Sequence, residues 1–150
     1  MAAKRKKTSR LVNLRTSRKG IHQVLGDLEA DIMELMWRKS PASVREVHES
    51  LAEDRSIAYT TVMTVMSRLA EKGLLNREQH GRAYLYVPAQ SREEFCSETI
   101  DTVMQGLLGG FGEPVLSHFV DTVGSEDTQK LDELMRLIEE KKAEAEQSAT

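Results

Sequence analysis

At Gly73 the apolar residues change their spacing. Before it, in AYTTVMTVMSRLAEKGLL (58–75), Val62, Val65, Met66 and Leu69 recur at i, i+3, i+4 and i+7, the period of an α-helix with one buried face. After it, LLNREQH and AYLYVPA flank His80-Gly81 and carry Tyr84, Tyr86 and Val87, residues that favour strands joined by a turn. Glycine tolerates the left-handed backbone that closes a helix, so Gly73 is the expected stop. The switch requires a helical body capped by a hairpin.

Upstream, LGDLEADIMELMWRKSP places Leu28, Ile32, Leu35 and Met36 on one stripe, with Asp27, Glu29 and Asp31 near the start, where the helix dipole favours acids. Pro41 ends this helix or the loop after it. In SVREVHESLA, Ser43 and Glu46 have capping-box spacing, and Val44, Val47 and Leu51 form the buried side of a second helix. EDRSI is a polar turn into the third. Helix, helix, helix, hairpin is the layout of a winged helix-turn-helix.

Opposite the apolar stripe of the third helix, at 100° per residue, stand Thr60, Thr61, Thr64, Ser67 and Arg68. Threonine is a poor helix former, so three on one exposed face cost stability without improving the core. Short hydroxyls allow close approach and can bond phosphates or base edges, and threonine methyls can touch thymine methyls. Arg77 and Arg82 near the hairpin tip suit a wing that grips the DNA backbone. Ser43 and Arg45 complete the candidate DNA-binding set. The bland alternatives are a tolerated polar surface and a hairpin that only caps the core.

Beyond Pro88 the pattern is helical again. Phe95/Cys96, Thr99/Ile100, Val103/Met104 and Leu107/Leu108 recur every four residues, and GGFGEP (109–114) should interrupt the run as a hinge. Val115, Leu116, Phe119, Val120 and Val123 follow, then a final helix expected to be capped by Ser125 and lined by Leu131, Leu134, Met135, Leu137 and Ile138. Three short amphipathic helices make too small a core to stand alone. A second copy would complete it, through Ile100, Val103, Met104, Leu107, Leu116, Phe119, Val120, Leu131, Leu134, Met135 and Ile138. Docking onto the winged domain is the competing arrangement. The methionines, including Met33, Met36, Met63, Met66, Met104 and Met135, read as core filling.

The fold expected is thus mainly α with a small β-hairpin, an N-terminal winged helix-turn-helix plus a C-terminal helical dimerisation module. Its parts are a basic flexible arm (1–24), a DNA-binding domain (25–90), a dimerisation domain (91–142) and a flexible tail (143–150). Charge follows the same division. Residues 1–20 hold eight bases and no acid, whereas 91–150 hold five bases and fourteen acids. A positive front and an acidic back suit a polyanion partner, although the arm could equally be a solubilising tail.

A single cysteine, Cys96, rules out an intramolecular disulfide or a multi-thiolate site. His22, His48, His80 and His118 are scattered, so no metal is expected. Phosphate-binding glycine loops and nucleophile elbows are missing, and with them any sign of an enzyme or cofactor. No apolar run approaches the ~20 residues of a membrane span. A cytoplasmic protein without membrane insertion is the expectation.

LGDLEADIMELMW, SVREVHESLA, AYTTVMTVMSRLAEKGLL and GRAYLYVP together resemble the penicillinase-repressor and methicillin-resistance-repressor family of winged-helix regulators, from about Leu25 to Ile138. The resemblance implies a homodimer on a dyad DNA operator, repressing β-lactamase or other cell-envelope stress genes. It also implies that Thr60, Thr61, Thr64 and Arg68 face DNA with Arg82 in the wing. β-Lactam-responsive members are cut at an Asn-Phe bond through a membrane sensor protease; the equivalent stretch here reads Ser117-His118-Phe119, making His118 and Phe119 the candidate cleavage region. The copper-responsive branch carries a C-terminal cysteine cluster that this chain lacks. Two rival functions are a winged-helix adaptor that binds protein instead of DNA and a small-molecule-responsive regulator.

Overall fold

The computed structural model describes residues 14–149. It contains α1 (Asp27–Lys39), α2 (Val44–Ala52), α3 (Tyr59–Glu71), β1 (Leu75–His80), β2 (Ala83–Pro88), α4 (Arg92–Phe111), α5 (Pro114–Glu126) and α6 (Thr128–Ser148). The described residues form two compact units that divide between Thr102 and Val103. The mainly helical fold with a winged helix-turn-helix is as expected.

In the first unit, Ile32, Met33 and Met36 of α1, Val47 of α2, and Val62, Met66 and Leu69 of α3 are all buried to within 1%. Each such side chain contributes about 1.5–3 kcal/mol relative to exposure. Ser43 caps α2 as its spacing predicts: its Oγ accepts from the Glu46 N–H at 3.2 Å, and the Glu46 carboxylate accepts from the Ser43 N–H at 2.7 Å. The end of α3 is a complete Schellman turn. Leu74 N–H donates to Leu69 O at 2.9 Å and Gly73 N–H to Ala70 O at 3.0 Å, with Gly73 at φ +79°.

The hairpin is antiparallel, with Leu75 opposite Pro88 and His80 opposite Ala83. Gly81, at φ +65°, occupies the first position of its two-residue loop, where a hairpin turn favours glycine. One pairing was not foreseen. Ala42, just before α2, bonds both ways with Tyr86, at 3.1 and 2.8 Å, and so pins the wing to the helical body.

Several boundaries differ from expectation. Residues 1–13 of the basic arm, including Lys4, Arg5, Lys6, Lys7 and Arg10, lie outside the described residues. The last part of the presumed arm is built into the domain. Gly20–Gln23 forms a 3₁₀ turn that buries Ile21 to 4% exposure. Arg15 donates to the carbonyls of His22 (2.8 Å) and Leu25, and Arg18 pairs with Asp27 at 2.9 Å. An apolar Ile21 four residues before Leu25 outweighs the surrounding charge.

The start of α4 likewise belongs to the winged unit. Phe95 is 2% exposed and lies 5.5 Å from the Trp37 ring centre, while Trp37 Nε1 donates to Gln90 O at 3.0 Å. Arg92 reaches Glu34 on α1 at 3.0 Å, and hydrogen bonding to that carboxylate raises the guanidinium pKa further above its ordinary value. Cys96 is half-buried beside this cluster.

In the second unit, Gly109 and Gly110 remain helical, and the break falls at Gly112, φ +70°. Helix α5 runs through Ser125, so Asp127 caps α6 instead, its Oδ1 accepting from Gln129 N–H at 2.9 Å. The expected tail from residue 143 continues α6 to Ser148, as its Ala- and Glu-rich composition favours. Among the described residues, no helix is long and apolar enough to cross a membrane.

If Ile21 is a core residue, Ile21→Ala should cost about 2–5 kcal/mol in urea unfolding. A loss below about 0.5 kcal/mol, typical of a surface position, would return the segment to a free arm.

Candidate functional site

Helix α3 has two faces because its inner one is fully used. With Val62, Met66 and Leu69 turned into the core, Thr60, Thr61, Thr64 and Arg68 are exposed and Ser67 is half-buried. Thr64 Oγ1 donates to Thr60 O at 2.9 Å, which occupies the hydroxyl proton and leaves oxygen lone pairs free to accept. The helix start is electropositive. It has no acid in its first turn, and Ala58 at the N-cap offers no side-chain bond, so the dipole is unopposed there. Glu71 is exposed toward the other end, where its carboxylate would repel phosphate.

Four contacts fix how α3 is presented. His48 Nε2 lies 2.8 Å from Ile57 O, and its ring meets Tyr59 edge-on with centres 5.7 Å apart, bracing the α2–α3 turn. Arg55 in that turn binds Asp31 of α1 at 2.8 Å. At the far end, Lys72 binds Glu29, whose carboxylate also accepts from Gly26 N–H at 2.8 Å. His48 could have been suspected from its place on the second helix beside the polar turn. The remaining pairs depend on how α1 crosses α3, for which the sequence carries no signal.

The candidate cations differ in availability. Among the described residues, neither Arg68 nor Arg82 has an acidic partner within 4.0 Å. Arg77 stacks its guanidinium 4.5 Å above the Tyr84 ring, an arrangement that orders the side chain while preserving its charge. Arg45 is paired with Glu49 at 3.0 Å, and the Ser43 oxygen is engaged in its cap. The structure therefore brings Thr60, Thr61, Thr64, Ser67 and Arg68 onto one helix side, Arg77 and Arg82 onto the hairpin, and Ser43 and Arg45 onto α2.

Two groups on α3 escaped the sequence reading. Met63, assigned to the core, is 43% exposed, and Tyr59 is 45% exposed. Met63 lies one step off the ideal apolar stripe, a distinction that composition alone blurs. Met135 is likewise exposed and Met104 half-buried, whereas Met33, Met36 and Met66 do fill the core.

The proposed dimer residues form a second constellation. Ile100, Leu107, Leu116, Phe119, Val120, Met135 and Ile138 are exposed; Val103, Met104, Leu131 and Leu134 are half-buried. Within the unit, α5 meets α6 closely enough that a Cβ added at Gly124 would lie 3.0 Å from Leu131. His118 and Phe119 sit inside α5, both exposed. Among the described residues, no group of three or more His, Cys, Asp or Glu could hold a metal ion.

A family model described as penicillinase repressor matches residues 25–140. The transcriptional regulator BlaI of Mycobacterium tuberculosis is 41% identical over 109 residues, covering 71% of this chain and 79% of the relative. The penicillinase repressor of Bacillus licheniformis is 23% identical over 118 residues, covering 79% of this chain and 91% of the relative. Among solved structures, the monomeric form of Bacillus licheniformis BlaI in complex with the blaP half-operator is 30% identical. It covers 45% of this chain and 82% of that one, with a TM-score of 0.41.

Since Thr64 contributes nothing to the core, Thr64→Ala should raise stability by about 0.5 kcal/mol through helix propensity. Thermal or urea unfolding measures it; a clear loss would show that the hydroxyl serves the fold.

Proposed function

The chain belongs to the penicillinase repressor family, and from that premise we propose a dimeric, sequence-specific transcriptional repressor that sets α3 in the major groove of a pseudo-palindromic DNA operator. Membership of this family makes it a DNA-binding repressor and not an enzyme. The observation that carries the finer reading is the division of α3, whose apolar side is buried and whose hydroxyl side, ending in Arg68, is largely exposed.

In this reading Thr60, Thr61, Thr64 and Ser67 approach the base edges closely, because short side chains let the helix sit deep in the groove. Arg68, Arg77 and Arg82 contact phosphates or a guanine edge and supply most of the salt-dependent affinity. Ser43 and Arg45 contribute at the start of α2, Arg45 after exchanging Glu49 for a phosphate. The positive start of α3 adds a favourable field for the backbone. The basic residues of positions 1–13 extend the phosphate contacts.

Dimerisation through α4, α5 and α6 is supported by burial. Neither α5 nor α6 has a buried residue in the single chain: Leu116 of α5 is 60% exposed and Met135 of α6 61%, and Phe111 at the end of α4 is 72% exposed. Apolar surface on that scale signals association. Two copies would place two α3 helices on half-sites about one DNA turn, ~34 Å, apart. A relative named as a penicillinase repressor supports a β-lactamase gene as target; other cell-envelope stress genes and a cytoplasmic location belong to the same proposal. A membrane sensor protease acting near His118-Phe119 is the proposed release route; an α-helical site must unwind before a protease can thread it.

Arg68→Glu and Thr64→Glu should each abolish specific gel-shift binding while sedimentation still reports a folded dimer. Wild-type affinity in both would remove α3 from the interface. Leu116→Glu with Phe119→Glu should yield a monomer whose operator affinity falls at least ten-fold, about 1.4 kcal/mol. A dimer of normal affinity would relocate the contact between copies.

A further inference from the structure

The outer side of α3 is poor in groups that read purines. From Tyr59 to Arg68 it offers hydroxyls, methyls, one phenol and one thioether, with no Asn, Gln or Lys. Arg68 is the single side chain of this stretch able to grip guanine bidentately. Whatever else the helix discriminates must be read through small polar groups and apolar contact.

Met63 is the largest flexible apolar group available for that purpose. It stands one turn after Tyr59 and Thr60 and one turn before Ser67, at 43% exposure and outside the core cluster. The fold makes the contrast internally: Met66, three residues later, is fully buried. An unbranched, polarizable thioether adapts to irregular apolar surfaces. In the major groove, the one apolar feature a base pair displays is the C5-methyl of thymine. Beside Met63, the Thr64 hydroxyl proton is tied to Thr60 O at 2.9 Å, so Thr64 keeps its methyl and its oxygen lone pairs for contact but no donor.

We propose that Met63 is a specificity-determining residue of the repressor, packing its thioether on a thymine C5-methyl in each operator half-site. The inference rests on the DNA-binding reading above and adds to it the chemistry of one recognised base. Tyr59 has a different part: its edge-on contact with His48 makes it a brace for the turn.

The test removes the methyl group alone. A duplex is selected from a randomised pool with the full-length protein, and each thymine is then exchanged singly for deoxyuridine. Fluorescence anisotropy on the wild type should show about a three- to five-fold loss at one or more thymines per half-site, the worth of one buried methyl. Met63→Ala should bind the thymine and uracil duplexes equally at one such position, with unchanged salt dependence and thermal unfolding. A Met63→Ala protein that keeps every thymine preference overturns the inference while leaving the repressor reading intact. A wild type that enriches no sequence from the pool overturns both.

Discussion

The burial of Val62, Met66 and Leu69 in the core of the winged unit is the constraint from which the rest follows. A helix of thirteen residues presents its sides in a fixed rotation of 100° per residue, so committing three positions inward settles the direction of all others. Turning α3 by one residue would expose about three apolar side chains at about 1.5–3 kcal/mol each. No surface ion pair could offset that. The outward aim of Thr60, Thr64 and Arg68 is therefore imposed by the core.

Around this axis the polar contacts act as locators more than as stabilisers. Arg55–Asp31, Lys72–Glu29 and Arg18–Asp27 all have partly exposed partners, and such pairs typically contribute 1 kcal/mol or less. Their positions matter more than their energies. They tie the turn before α3, the end of α3 and the segment before α1 to one end of α1. The Schellman turn and the Ala42–Tyr86 pairing then carry this order into the hairpin, so helix and wing belong to one rigid surface. Placement within a fraction of an ångström is what base discrimination demands of a binding site.

Local rules recovered the elements, and long-range packing decided the exceptions. Helical period, the Ser43–Glu46 box and Gly73 were legible because each acts within a few residues. Arg15, Ile21, Phe95 and the Ala42 bridge were not, since their value lies in partners that only the folded chain supplies. Ser125 looked like a cap by type, but α5 runs on through it, and Asp127 takes the role by accepting from the Gln129 N–H in the first turn of α6. The glycines of 109–112 show the converse: glycine permits a break, and only Gly112 adopts the positive φ that makes one. For the site, hydroxyl and cation positions were legible from helical phase, whereas Met63 was lost because it sits at the margin of the apolar stripe.

The two units solve opposite problems with the same apolar chemistry. The winged unit buries its core within one chain and can hold α3 steady alone. Helices α5 and α6 leave theirs open, so in the proposed dimer their stability depends on protein concentration. That dependence has a consequence for DNA. One α3 has few groups to contribute beyond hydroxyls, a thioether and an arginine, and a single half-site would be held weakly. Joining two copies makes the second contact intramolecular and multiplies affinity by about 10²–10⁴ without any new base contact. In the proposed dimer, anything that opened the apolar face of the second unit would weaken DNA binding while leaving every residue of α3 in place.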